Sequence, residues 1–265
     1  MRTLGEDLVL LAINPRSGRL ADADRLRFGL MGAELVRLAA DRRVDIKDDR
    51  IIVLDAGPTG DPELDAALAS LAQARRPPRA KKWVGAPRRR ICETYLAHLA
   101  EAGTIQADRG RLLPVTQWRI TDEVRAAAAR ARLDAIAGGS GPVDTEQAAF
   151  AGLASASGLG SHLYPGWGNR ALRKRLDQVA KSRLVEPAGL ASTDATVRLA
   201  AEATDAAVRA SAAAREAAVR AAQQAATDAA VRAASQAATD AAVSAAVQAA
   251  QQAAIQPPPA AGGGH

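Results

Sequence analysis

The residues of this chain that could do chemistry are few and scattered. Its three histidines stand at His98, His162 and His265, and its one cysteine is Cys92. Donors this far apart lack the clustered spacing of a zinc site. A lone cysteine excludes an intrachain disulfide framework, which fits a reducing cytoplasm. Between Ile91 and Glu93 on an expected helix, Cys92 reads as a small buried filler. No GxSxG, no HExxH and no nucleophile with spaced carboxylates occurs. Asp48, Asp49 and Asp55 read as acids of a solvated turn and a strand end rather than as cation ligands. No catalysis and no cofactor is expected.

The stretch GPTGDPELDAAL, residues 57–68, raises the question of a phosphate loop. Such a loop would need more glycines, a lysine and a hydroxyl at the helix start, and here the lysine is absent. Pro58 and Gly60 set a turn, Asp61 is placed to cap the next helix, and Pro62 can begin it. Asp65 favours the positive end of that helix, and Leu64, Leu68 and Leu71 repeat on one face.

Charge with one aromatic is the stronger signal. Eight bases lie between Arg75 and Arg90 with no acid among them, and Trp83 stands in their midst. Arg79, Lys81, Lys82 and Trp83 could lie on an anionic bilayer, the indole at headgroup level and the bases on phosphate. They could also track a nucleic-acid backbone, although a chain with 3% aromatic residues offers little stacking. A third reading is a solvated basic loop with Trp83 packed into the core. The first 190 residues hold the positive surplus, and the remainder is close to neutral. No signal peptide and no run of about 18 apolar residues is seen, so membrane contact would be peripheral.

Helices must position these residues. Glu6 to Ile13 reads as a short helix closed by Asn14-Pro15 and a turn at Ser17-Gly18. Leu30 to Ala40 is helical; Val44 and Ile46 form a strand, Asp48-Asp49-Arg50 a turn, and Ile51 to Leu54 a second strand. A looser version of this unit returns as Arg89 to Glu101, Thr104-Ile105, a turn around Asp108–Gly110, and Leu112 to Val115. Helices are also expected over 122–137, 145–158 and 170–183. The last is basic and amphipathic, with Leu172, Leu176 and Val179 opposite Arg173, Lys174, Lys181 and Arg183. A loop carrying His162, Tyr164 and Trp167 precedes it.

From about Ala191 the composition turns to alanine. Asp194, Asp205, Glu216 and Asp228 each precede an arginine by four residues, the favourable helical orientation, and alanine has the highest helix propensity. Valines at 197, 208, 219, 231 and 243 are spaced by eleven and then by twelve, so their stripe rotates. A long helix is expected, with too little apolar area for a specific coiled-coil seam. The division is therefore a domain over 1–190, an Ala-rich repeat helix over 191–256 and a disordered end over 257–265.

The order of these pieces resembles the GPP34 family (Golgi phosphoprotein 3) in its actinobacterial form. The resemblance rests on LGEDLVLLAINPRSGRL, LRFGLMGAELVRLAADRRVDI, PTGDPELDAAL, RPPRAKKWV and YLAHLAEAGTIQADRGRLLP. DTEQAAFAGLASASGL and NRALRKRLDQVAK follow, so that the whole spans residues 3 to 185. It implies a mainly α, compact helical domain with short β-hairpins, ahead of the long Ala-rich helix. It further implies a non-enzymatic peripheral protein binding phosphatidylinositol 4-phosphate-like headgroups in a basic pocket. The family's pocket arginine falls at Met31, within Phe28-Gly29-Leu30-Met31-Gly32, and its tryptophan near Asp22. The candidate headgroup residues here are Arg25, Arg27, Arg125, Arg130 and Arg132. The expected partner is the anionic inner face of the cell membrane, met from the cytoplasm, with self-association through the tail as a further expectation. The alternatives are a winged-helix-like nucleic-acid module, disfavoured because helix 30–40 offers few polar groups for base reading, and a scaffold.

Overall fold

The computed structural model describes residues 3–109, 116–141, 143–181 and 191–255. Helix α1 (Leu4–Ala12) opens on a capping box: the Thr3 hydroxyl accepts from the Glu6 amide, and the Glu6 carboxylate from the Thr3 amide. Every residue of α1 is buried, Glu6 and Asp7 included. Such a helix can sit inside a core only if its acids find cations there.

Helix α2 (Ala23–Ala40) starts two turns before the expected Leu30. Asp22 caps it, accepting from the Arg25 amide at 3.1 Å. The charged Asp24, Arg25 and Arg27 mask the apolar period in its first turns, where Leu26 and Phe28 are already buried. Gly29 and Gly32 permit close approach on this helix: a Cβ at Gly29 would run into the Ser157 hydroxyl, and one at Gly32 into Leu153 and the Thr204 hydroxyl.

Strands β1 (Val44–Lys47) and β2 (Arg50–Val53) form an antiparallel hairpin, with Val44 opposite Val53. Its turn residues Asp48 and Asp49 both have positive φ, as a tight two-residue turn requires. Helix α3 (Pro62–Ala72) follows, then a short α4 (Ala80–Val84) that periodicity alone did not mark, and α5 (Ile91–Glu101). A second hairpin, β3 (Ile105–Arg109) with β4 (Thr116–Ile120), repeats the helix–hairpin order of α2. The expected strand Leu112–Val115 lies outside the described residues, and β4 begins just after it.

Helices α6 (Glu123–Gly138) and α7 (Thr145–Ala156) lie close to their expected spans. A one-turn helix α8 (Leu159–Leu163) occupies part of the expected loop, entered through Gly158 at φ +76°. Helix α9 (Arg170–Lys181) buries Leu176 and Val179 and packs on α7. The core gathers α1 and α2 at its centre, with Leu8, Leu26, Leu30, Leu35 and Phe150 fully enclosed.

Helix α10 runs Ala191–Ile255. The first compact unit extends to Ser211, and Ala203, Thr204 and Val208 are buried within it. The fold thus continues past residue 190, where the composition changes. In the second unit, Ala212–His265, the valines at 219, 231 and 243 are exposed, and Glu216 pairs with Arg220 at 3.2 Å. The molecule is mainly α, with two short hairpins and a long C-terminal helix. The expected disordered end and Arg183 lie outside the described residues.

Candidate functional site

The turn at GPTGD is built by its own acids. Asp61 accepts from the amides of Glu63 and Leu64 at 2.9 and 3.2 Å, and Pro62 occupies the first helical position. Asp65 accepts from both the amide and the hydroxyl of Thr59, each at 2.6 Å. Those hydrogen bonds hold its carboxyl below the usual carboxylate range. Arg43 closes the loop from outside, pairing with Asp55 and donating to the Pro58 carbonyl at 3.0 Å. The amides an anion would need at this helix start already bond carboxylates.

The basic segment after α3 is pinned in place. The Ile51 amide donates to the Pro78 carbonyl at 2.9 Å and the Ala80 amide to the Asp49 carbonyl at 2.8 Å, so residues 78–80 lie along the open edge of β2. The Arg50 guanidinium adds a bond to the Pro77 carbonyl at 2.8 Å. Helix α4 turns Trp83 inward, half-buried against the core, with its N–H on the Ser70 hydroxyl at 3.3 Å. Arg75, Arg76, Arg79, Lys81, Lys82, Arg89 and Arg90 are exposed, and none of them forms an ion pair with a described residue.

Arg88 behaves differently from its neighbours. It grips the buried Glu34 with two bonds of 2.6 and 2.5 Å, reaches Glu63 at 3.3 Å and touches the Met31 sulfur at 3.9 Å. Tyr95 also donates to Glu34, at 3.4 Å. Burial pushes the Glu34 carboxyl up to about 7, against the pull of Arg88. Burial alone would lower the Arg88 pKa, but the hydrogen bonds to Glu34 raise it. This cluster was not anticipated from sequence. Arg88 looked like one more base in a basic run; the available signal was Glu34, an acid between Ala33 and Leu35 in an apolar helix.

All five candidate headgroup arginines have carboxylate partners. Arg25 pairs with Asp22 at 3.1 Å, and Arg27 with Asp24 at 2.9 Å beside the Phe28 ring. These two lie on the first turns of α2. Arg125, Arg130 and Arg132 lie on α6. Arg125 binds the buried Glu6 at 2.6 Å, and Arg132 reaches the buried Asp7 at 3.8 Å and Glu146 at 2.8 Å. Both are cations that α1 requires. Arg130 pairs with Asp134 at 2.9 Å over the Tyr164 ring. Neither of the two clefts described next is lined by any of the five.

One cleft, of about 500 Å3, lies between the loop after α1 and the β3–β4 hairpin, lined by Arg16, Gly18, Asp108, Trp118 and Arg119. The other, of about 800 Å3, lies where the loop after α8 meets α9, and Trp167 forms its rim. Cys92 is buried, and desolvation lifts its thiol to about 11, the opposite of an activated nucleophile. Among the described residues no group of three His, Cys, Asp or Glu side chains could hold a metal ion. No described helix is long and apolar enough to cross a membrane.

With this geometry in place, the chain can be set beside known families. The sequence model described as Golgi phosphoprotein 3 (GPP34) covers residues 4–256, through the Ala-rich helix as well as the compact unit. No curated protein matches the chain. The chain belongs to the GPP34 family.

Proposed function

We propose that this protein is a non-enzymatic peripheral membrane protein that binds anionic phospholipid headgroups, phosphatidylinositol 4-phosphate among them, from the cytoplasmic side. The observation that carries the reading is the set of seven exposed cations from Arg75 to Arg90 with no ion pair to a described residue. The middle of the segment, residues 78–80, is fixed along β2, so less backbone ordering is left there for binding to cost. Each base near an anionic surface contributes about 1 kcal/mol, and the attraction is screened by salt. Membership of the GPP34 family agrees with this reading.

Among the five arginines of the expected pocket, Arg25 and Arg27 are the ones a phosphate can recruit. Their pairs with Asp22 and Asp24 are solvent-exposed, and such pairs are worth only about 0–1 kcal/mol. Arg125 and Arg132 stay with Glu6 and Asp7, whose burial makes their release costly.

Flotation of the full chain with vesicles tests the proposal. Neutral, phosphatidylglycerol-containing and phosphatidylinositol 4-phosphate-doped vesicles are compared at low and high salt. Binding to the anionic vesicles, lost in high salt and lost in an Arg79→Glu/Lys81→Glu/Lys82→Glu variant, is the expected result. Absence of flotation on every anionic vesicle at low salt would sink the reading.

A further inference from the structure

The loop between α8 and α9 holds a tryptophan where burial would be expected. Trp167 is 88% exposed, whereas Trp83 and Trp118 are half-buried. An indole left in water forgoes the burial that large aromatic side chains ordinarily supply. Loose packing does not explain it, because the loop is tied down from three directions. Tyr164, just before it, is buried and donates to Asp134. The Arg173 guanidinium donates to the carbonyls of Tyr164 and Gly166, the latter at 2.8 Å. The Asn169 side chain donates to the Pro165 carbonyl at 2.9 Å. Gly166 takes a positive φ of +82°, turning the chain so that Trp167 is carried outward.

Beside the indole, Arg170 and Lys174 stand one turn apart on α9, exposed and without an ion pair to a described residue. They line the cleft of about 800 Å3 together with Ser161, Arg173 and Asp177. Its one acid, Asp177, accepts from Ser155, and Arg173 is occupied by the loop carbonyls. The unspent chemistry of the cleft is therefore one amphipathic ring and two cations. Tryptophan concentrates at membrane–water interfaces, where its ring meets the acyl boundary and its N–H stays wet. Lysine and arginine next to it meet lipid phosphate. A single-stranded nucleic acid would need successive stacking rings, and Trp167 stands alone here.

We propose that Trp167, Arg170 and Lys174 form an interfacial anchor, the indole entering the headgroup layer of an anionic bilayer while the two cations hold lipid phosphate in the cleft. The inference rests on the membrane reading above and deepens it, by adding a contact separate from the Arg75–Arg90 segment. The test uses the full chain with phosphatidylglycerol vesicles whose acyl chains are brominated. Trp167→Ala changes an exposed side chain, so its melting temperature should match the wild type and any effect on binding is local.

Expected are quenching of wild-type emission, loss of that quenched component in Trp167→Ala, and affinity about tenfold lower in this variant. Arg170→Glu/Lys174→Glu should lose at least as much. Wild-type binding with unchanged affinity and quenching in Trp167→Ala would overturn the anchor and leave the basic segment as the membrane contact. No vesicle binding by either protein would remove the membrane reading and the anchor together. Quenching of Trp167 by a single-stranded oligonucleotide but not by vesicles would overturn the anchor in favour of nucleic acid.

Discussion

Replacing Arg88 by methionine should be among the most damaging single changes in the compact unit. Glu34 is 1% exposed and Glu63 9%, and Arg88 is the cation both carboxylates touch. Removing one partner of a buried pair costs about 3–5 kcal/mol, because the other is left charged without compensation. At about 2–4 °C per kcal/mol for a unit of this size, the melting temperature should fall by about 6–20 °C. The loss should depend on pH with a definite sign. In the wild type, burial raises the Glu34 carboxyl from 4.5 to about 7, and at about 1.4 kcal/mol per pH unit this is on the order of 3 kcal/mol. A carboxyl raised on folding adds stability that is full below the unfolded value and is lost as pH rises through the folded one. Without Arg88 the folded value climbs further, so the deficit of Arg88→Met should be largest at about pH 8 and shrink towards about pH 5. Thermal melts of wild type, Arg88→Met and Arg88→Met/Glu34→Leu at both pH values give the answer. The double variant should recover the part of the loss that belongs to Glu34, since apolar replacement of a buried pair is often close to neutral, while Glu63 stays without its cation. A deficit under about 1 kcal/mol, or one equal at both pH values, would show that the pair behaves like an exposed one.

Three further outcomes follow from named contacts. Asp61→Ala removes the acceptor for two amides at the start of α3 and should cost about 1 kcal/mol, read as a melting shift of a few degrees; unchanged melting would deny the cap its role. Gly32→Ala drives a Cβ into Thr204 and should cost about 1–3 kcal/mol, with more than half regained when Thr204→Ala is added. Arg125→Met strands the buried Glu6 and should destabilise by about 3–5 kcal/mol while leaving vesicle affinity of the folded protein unchanged. Reduced affinity with intact melting would return Arg125 to the headgroup site.

What the sequence disclosed was mostly periodic or locally capped. The Asp61-Pro62 start of α3, the strands after α2 and helix α9 were legible because their signals lie within a few residues of one another. Helix α4 was not, since five residues cannot establish a period. The start of α2 hid behind three charged residues. The candidate arginines were less legible still, because an arginine's partner is set by tertiary contact. Arg125 lies 119 residues from Glu6 in the chain, and Arg88 lies 54 from Glu34. A base in a basic run and a base in a buried pair are written with the same letter. The lasting clue is on the acidic side, where Glu6, Asp7 and Glu34 interrupt apolar helices and must each be answered.

Helix α10 is continuous in backbone yet held by two different means. Ala203, Thr204 and Val208 are enclosed, and Thr204 faces a glycine on α2 that leaves room for nothing larger. Beyond Ser211, among the described residues, the exposed valines and the Glu216–Arg220 pair point to propensity and local bonds as what sustains the helix. Amide hydrogen exchange should therefore divide within one helix, slow near 203–208 and fast from about 220 onward. The same division sets the freedom to mutate. Distal positions accept any good helix former, whereas Thr204 and Gly32 can change size only together. A truncation drawn at the onset of alanine would strip the cover from Gly32, but one drawn after Ser211 would keep Ala203, Thr204 and Val208 with the compact unit.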